Sequence, residues 1–227
     1  MPGTEIVSAQ TYPHKPLRLI APEPGGGVDF AARIVAQGIS GSRGQPVIVE
    51  NRGGGGNVSG EIVTKAARDG YTLLVTGSTF WGTPLLRKTS YDPVKGFAPV
   101  SYLVSSPNIL VVHPSVPVKS VRDLIDFAKT KPGLLNYASS SIGSSAHLAG
   151  EMFKSMAGVS IVHIPYKGTG PAIINLIGDQ VQMMFATAAS VTAPVKSGKL
   201  KAVAVSSHAT VHALSRPAHG RGHRSGL

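Results

Sequence analysis

Two turns rich in glycine and serine are the places where this sequence could hold a small anion. The first covers residues 24–27, Pro-Gly-Gly-Gly, and leads into a predicted helix at Asp29. The second covers residues 139–147 and leads into a predicted helix through Leu148. The N-terminus of a helix offers unsatisfied N–H groups and about half a positive charge. If the turns face each other, a dicarboxylate could be held at both ends without a salt bridge; otherwise both are ordinary tight turns.

Single side chains near these turns have alternative roles. His147 could donate to a ligand or cap its own helix, and Asp29 could be a helix N-cap or accept an amino group from a ligand. Trp81 could form the wall of a cleft or pack in the core. Lys167 is predicted to be a solvated turn residue.

The glycine-rich runs of residues 25–27 and 53–56 do not match the known motifs for nucleotide binding or catalysis. The dinucleotide fingerprint fails at both, and the Gly-Lys-Ser/Thr ending of a phosphate-binding loop does not occur. The alternative is an α/β-hydrolase-like enzyme that uses Ser144 or Ser145 with His147, but it lacks the nucleophile elbow and a partnered acid. The sequence therefore predicts a protein that is not an enzyme, with no cofactor and no metal.

Composition and charge narrow the range of partners. The net charge is +11, but the basic residues are scattered and have no interleaved aromatics, which argues against nucleic acid. Cysteine is absent, which excludes disulfides and thiolate chemistry. No apolar stretch reaches the ~18 residues of a membrane span. No signal peptide is visible, although Val-Ser-Ala at residues 7–9 is typical of the end of one, so we expect the true start to lie upstream.

Alternating strands and helices predict an α/β fold of two lobes with a cleft between them. The first lobe, residues 1–103, has the order β-α-β-α-β of a parallel, doubly wound sheet. Residues 81–99 are predicted to be rich in loops. The second lobe, residues 104–206, continues the alternation and includes a helix capped by Ser120 with Asp123 as its capping-box partner. The predicted strands are residues 17–20, 47–49, 71–75, 100–103, 109–112, 135–138, 161–164, 183–186 and 202–205.

Residues 207–227 have a different composition from the rest of the chain. They contain four of the eight histidines together with three arginines, without an acid and without periodic spacing. The irregular spacing favours a disordered or out-of-frame tail over a metal-binding tract.

A series of short motifs, in order and correctly spaced, gives the chain a family resemblance from residue 12 to about residue 207. The motifs are Pro-Gly-Gly-x-x-Asp ending in Ala32-Arg33, Val49-Glu50-Asn51-Arg52, Asp69-Gly70-Tyr71-Thr72-Leu73-Leu74, Tyr91-Asp92-Pro93, Phe97-Ala98-Pro99-Val100, Leu135-Asn136-Tyr137-Ala138-Ser139, Gly143-Ser144 with His147-Leu148, and Pro165-Tyr166-Lys167-Gly168. With these motifs the sequence resembles the solute receptors of tripartite tricarboxylate transporters, the Bug-type extracytoplasmic binding proteins.

The resemblance implies a periplasmic-binding-protein fold whose two lobes close on a carboxylated ligand. It also implies a periplasmic location, a monomer when intact, and presentation of the ligand to the membrane permease subunits of the transporter. The ligand would be a di- or tricarboxylate, an acidic amino acid or an aromatic acid. The residues that the resemblance places at the ligand are Pro24, Gly25, Gly26, Gly27, Asp29, Ser78, Thr79, Trp81, Ser139, Ser140, Gly143, Ser144, Ser145, His147, Phe185 and Ala186.

Three departures from the family pattern affect these expectations. Glu23 stands where many relatives have an apolar or aromatic residue, and residues 178–180 are Gly-Asp-Gln instead of Gly-Gly-Gln. After Ser207 the family pattern is lost, as in a truncated or frameshifted copy. The first lobe would then lack its C-terminal elements and expose apolar sheet surface and an unpaired edge, so we expect poor stability, aggregation and doubtful ligand binding.

Overall fold

A computed structural model describes residues 12–54 and 56–207, which form two α/β lobes. The Val-Ser-Ala segment at residues 7–9 and the histidine-rich residues from 208 onward lie outside the described residues. Among the described residues, none of the helices has the length and apolarity that crossing a bilayer requires.

The first lobe is built on a three-stranded parallel sheet with the order β2-β1-β3. Its order along the chain confirms the predicted β-α-β-α-β, and one further helix follows. The elements are β1 (Leu17–Ala21), α1 (Gly27–Arg43), β2 (Val47–Asn51), α2 (Asn57–Thr64), β3 (Thr72–Leu74) and α3 (Ser78–Leu86). Within the described residues, β3 pairs only with β1, so its outer edge is open.

The second lobe is built on a five-stranded mixed sheet with the order β6-β5-β7-β4-β8. β5 pairs in parallel with β6 and β7, whereas β4 runs antiparallel to β7 and β8. The elements are β4 (Asn108–Val112), α4 (Val121–Thr130), β5 (Asn136–Ser139), α5 (Ser145–Ala157), β6 (Val162–Pro165), α6 (Thr169–Ile177), β7 (Met183–Thr187), α7 (Ala188–Lys196) and β8 (Lys201–Val205). The predicted capping box at Ser120 and Asp123 is confirmed at the start of α4.

The two lobes differ in how much apolar surface they bury. Along β4, Ile109 and Val111 belong to one buried cluster and Leu110 and Val112 to another, because alternate residues of a strand point to opposite faces. The second sheet is therefore covered on both faces. The buried cluster around the first sheet is much smaller, and its members are Leu19, Ala21, Ala32, Ala36 and Val75.

The predicted strand at residues 100–103 is wrong. These residues have no strand partner among the described residues, and Val100 and Tyr102 are 83% and 80% exposed. An apolar run becomes a strand only where a second strand lies beside it to take its hydrogen bonds.

Two helices in the structure were not predicted from the sequence. The segment predicted to be rich in loops from residue 81 is helical as far as Leu86, since α3 covers it. α7 follows β7 directly, at a place where no helix was predicted. Both helices contain a proline, Pro84 and Pro194, and a proline inside a helical pattern is usually a sign that the helix ends.

Candidate functional site

The glycine turn of the first lobe lies directly against the second lobe. A Cβ placed on Gly26 would lie 3.1 Å from the Thr169 hydroxyl at the start of α6. One on Gly27 would lie 3.1 Å from the Thr187 hydroxyl, and one on Gly25 would lie 3.8 Å from the Cα of Gly170. Larger residues would hold the lobes apart, so the run of glycines allows the close approach.

The serine turn of the second lobe lies against α3 of the first lobe. A Cβ on Gly82 would lie 2.7 Å from the Gly143 carbonyl oxygen. The backbone N–H of Ser145 donates to Ser78 Oγ over 3.0 Å. Ser78 and Thr79, which the resemblance places at the ligand, form the first turn of α3.

The start of α6 connects the two turns. The Gly168 N–H donates to the Ser140 carbonyl over 2.9 Å, and a Cβ on Gly168 would lie 2.6 Å from Glu23 Cγ. The structure therefore brings both predicted turns to the crevice between the lobes, with residues 168–170 between them.

Asp29 fixes the shape of the first turn. Gly26 is the N-cap of α1, so the prediction that Asp29 is the N-cap is wrong: it is the third helical residue. Its buried carboxylate accepts from the Gly25 N–H over 3.1 Å and from Asn51 Nδ2 over 2.8 Å, and it pairs with Arg33 over 3.0 Å. Burial alone would raise the pKa of Asp29, but the hydrogen bonds from Asn51 and Arg33 outweigh it, and the pKa is lowered.

Ser144 caps the N-terminus of α5 through the backbone N–H of His147. Ser144 Oγ accepts from the His147 N–H over 3.2 Å and donates to the Ser141 carbonyl over 2.8 Å, while the His147 ring accepts from the Gly143 N–H over 3.2 Å. The capping residue is therefore Ser144, and the His147 ring binds the residue that precedes it. Ser144 is 3% exposed and gives its proton to a carbonyl, not to the His147 ring, so it has neither the access nor the partner of a nucleophile.

Helix N-termini without a side-chain cap meet at this crevice. α1, α3, α6 and α7 begin after Gly26, Gly77, Gly168 and Thr187, and none of these residues caps its helix through a side chain. A Cβ on Gly77 would lie 3.0 Å from Val28, which places the start of α3 beside that of α1. Such ends carry unpaired N–H groups and partial positive charge, which suit an anion.

Other predicted site residues lie around the crevice or behind it. Trp81 is half exposed and packs edge-on against Phe80, and Ser139 is fully buried. Phe185 and Ala186 are buried on opposite sides of β7. The next residue, Thr187, is the one that reaches the first lobe.

Sequence reasoning missed four residues at or beside the contact between the lobes. Gly168 belongs to the quoted Pro-Tyr-Lys-Gly motif, which could have drawn attention to it and to the following Thr169. Thr187 carries no sequence signal. Ser141 lies between predicted residues of the second turn, and its buried hydroxyl has no hydrogen-bond partner among the described residues.

A cavity of about 240 Å³ opens beside the first turn. It is lined by Gly25, Gly26, Asp29, Phe30, Arg33 and Ala189. Ala189 belongs to α7, so both lobes contribute to the wall. Within the described residues, no three His, Asp or Glu side chains are grouped so that they could hold a metal ion.

Comparison with known proteins agrees with this arrangement. The family model described as tripartite tricarboxylate transporter family receptor matches residues 31–216. The protein BugT of Bordetella pertussis is 40% identical over 204 residues, which cover 88% of this chain and 63% of BugT. The chain thus spans less than two thirds of the length of that relative.

Solved structures show the same fold. An R. palustris protein solved with adipate superposes with a TM-score of 0.85 at 35% identity, covering 87% of this chain and 67% of that one. MatC from Rhodopseudomonas palustris, with bound malate, gives a TM-score of 0.81 at 28% identity, covering 87% of this chain and 68% of MatC. These likenesses confirm the α/β fold of the periplasmic-binding-protein type, and with the family match they show that the chain belongs to the receptor family of the tripartite tricarboxylate transporters.

Proposed function

We propose that this chain is the ligand-binding part of an extracytoplasmic solute receptor that holds a small carboxylate in the crevice between its lobes. The observation that carries the proposal is the meeting of four uncapped helix N-termini, two from each lobe, at one crevice. Family membership supports it, and so do the adipate and the malate held by two similar structures.

Backbone N–H groups at the helix N-termini are the main donors proposed for such a ligand, and the Arg33 guanidinium also lines the cavity. The acidic Asp29 is neutralised by Arg33 and accepts hydrogen bonds from its own surroundings, so it does not leave a bare negative charge beside the first turn. Helix N-termini in a partly desolvated crevice attract a carboxylate more strongly than they would in open water. An anion can therefore be bound here without a dedicated salt bridge.

Within the range of candidate ligands we favour small aliphatic dicarboxylates, because two similar structures hold adipate and malate. The cavity of about 240 Å³ beside the first turn forms one part of the crevice in which such a ligand would lie. An acidic amino acid would need a free acceptor for its ammonium group, and the Asp29 carboxylate is already engaged.

Closure of the lobes around the ligand is the physical step of the proposed function. The glycines at the contact let two backbones approach, and the bond from Ser145 to Ser78 joins the lobes directly. Closure buries the carboxylate, and the closed shape is what a membrane permease would recognise in the periplasm. The permease partner, the periplasmic location and a monomeric state belong to the proposal through family membership.

A matched pair of ligands tests the proposal. Adipate and its neutral diamide have similar length, and only the first carries negative charge. We expect adipate, or malate in the same assay, to raise the free energy of unfolding by about 2.7 kcal/mol at a hundred times Kd, and the diamide to have no effect. Equal stabilisation by the diamide, or none by any of a series of small mono-, di- and tricarboxylates, would contradict it.

A further inference from the structure

Two histidines support the serine turn from behind. The rings of His147 on α5 and His163 on β6 stack with centroids 4.4 Å apart. His163 also stacks on the fully buried ring of Tyr137, at 4.7 Å. The three rings form a continuous stack beneath residues 139–144, and His163 is not among the residues assigned to the ligand.

The hydrogen bonds of Ser139 determine which nitrogen of His163 carries the proton. Ser139 Oγ lies 2.7 Å from His163 Nε2 and 3.1 Å from the Ser141 carbonyl oxygen. A carbonyl can only accept, so the single hydroxyl proton of Ser139 goes to Ser141. Ser139 must then accept from His163, which requires the proton on Nε2.

The hydrogen bond of Gly143 determines the state of His147. The Gly143 N–H donates to His147 Nδ1, so this nitrogen must be unprotonated and the ring proton must lie on Nε2. The Ser141 carbonyl meanwhile accepts from Ser139 and from Ser144. Every one of these bonds fixes a peptide group of the serine turn.

We infer that His147 and His163 are a pair of positioning residues that hold the serine turn in its ligand-binding shape, and that they do so with Nδ1 of His147 unprotonated and a proton on Nε2 of His163. The inference deepens the proposed function, because it concerns the turn to which that function assigns the carboxylate.

The surroundings of His163 agree with a neutral ring. Burial is the largest cause that lowers the pKa of His163, to about 4. The other charged or titratable groups near the pair are Glu151 and Lys154 on α5, which pair over 2.9 Å, and Tyr137 on β5, whose hydroxyl donates to Glu151 over 2.6 Å. A proton on His147 Nδ1 would place a second donor against the Gly143 N–H, so this hydrogen bond requires Nδ1 to be unprotonated.

The test uses the whole chain and begins without a variant. Long-range proton–nitrogen correlation NMR of the imidazole rings at about pH 7 identifies the protonated nitrogen of each histidine. We expect Nε2–H in both rings; a proton on Nδ1 of His147, or an unprotonated Nε2 in His163, would overturn the inference.

Variants then measure the effect on the turn. His163→Phe keeps the stacked ring and removes the donor, whereas His163→Gln keeps an amide N–H at a similar reach. We expect the amides of Gly143 and Ser144 to exchange about tenfold faster in His163→Phe and to return close to the wild-type rate in His163→Gln. His113→Asn, which removes a histidine paired with Asp179 at the other side of the lobe, is the control and should leave both rates unchanged.

Ligand binding separates the two proposals. Wild-type rates in His163→Phe would overturn the role of the pair whether or not adipate binds. If His163→Phe fails to fold, the ring states of the wild-type protein still decide. If the ring states and exchange rates are as expected but no carboxylate binds, the role of the histidine pair is supported and the proposed function is contradicted.

Discussion

Replacing Gly82 by alanine should separate the stability of the fold from closure of the crevice. The new Cβ would lie 2.7 Å from the Gly143 carbonyl oxygen, whereas Cβ contacts in proteins are essentially never shorter than 3.0 Å. The obstructing atom belongs to the backbone of the other lobe, so the contact has to open by at least about 0.3 Å. Overpacking of this kind costs about 1–3 kcal/mol, which corresponds to about 5- to 150-fold weaker ligand binding if the closed form is the one that binds.

Within α3 itself the same substitution is favourable. Alanine is preferred to glycine inside a helix by about 1 kcal/mol, so the midpoint of urea unfolding should stay equal or rise. Gly38→Ala is the matched control, because it makes the same change in α1 where a Cβ meets nothing within 4 Å. We expect both variants to be at least as stable as the wild type, and only Gly82→Ala to lose affinity.

Calorimetry with adipate and malate measures the affinity, and hydrogen exchange measures closure without a ligand. The Ser145 N–H donates to Ser78 across the lobes, so its exchange should accelerate in Gly82→Ala and not in Gly38→Ala. Equal affinity and equal exchange in the two variants would show that this contact plays no part in closure.

Three further outcomes follow from buried and exposed groups. The pKa of His163 is lowered from 6.5 to about 4 by burial and by His147, so its contribution to stability is complete above pH 6.5 and is lost as the pH falls towards 4. Because the ring is partly accessible to solvent, we expect the free energy of unfolding of the wild type to fall by about 1–2 kcal/mol over this pH range, as measured by urea titration. His163→Phe should not show this fall, and an equal fall in both proteins would refute the prediction. Gly150→Ala would put a Cβ 2.2 Å from the buried ring of Tyr137, so the free energy of unfolding should fall by about 2 kcal/mol, and an unchanged urea midpoint would contradict the packing. Val100 and Tyr102 are exposed on an apolar segment that has no strand partner in the described part of the chain. Changing both to lysine should reduce light scattering on heating and shift stability by less than about 0.5 kcal/mol, whereas unchanged scattering would place the aggregation surface elsewhere.

The sequence allowed the order of the elements to be predicted, because that order depends on local patterns. Apolar runs and helical spacing mark β1, α1 and β2, and the Ser120 capping box is a pattern of near neighbours in the chain. Strand pairing is not local. The apolar residues 100–103 carry the composition of a strand, but the composition does not show whether a second strand lies beside them.

The candidate site was predictable where residues cluster along the chain and was missed where only the fold brings them together. The two turns are rich in glycine and serine and can be recognised from composition. Thr187 and Gly168 are single residues at the ends of elements, and they reach the crevice because β7 ends and α6 begins beside the first lobe. His163 is one histidine in a short apolar strand, and its contact with Ser139 depends on the pairing of β5 with β6.

Amide chemical shifts recorded while a dicarboxylate is added test the central claim most directly, because they report on both turns at once. Adipate and malate are the first ligands to use, since similar proteins hold them. If backbone N–H groups of both lobes bind the carboxylate, the amide chemical shifts of residues 25–27 and of residues 143–145 should change together, with a single apparent Kd. Shifts confined to one turn, or to a surface away from the crevice, would contradict the account.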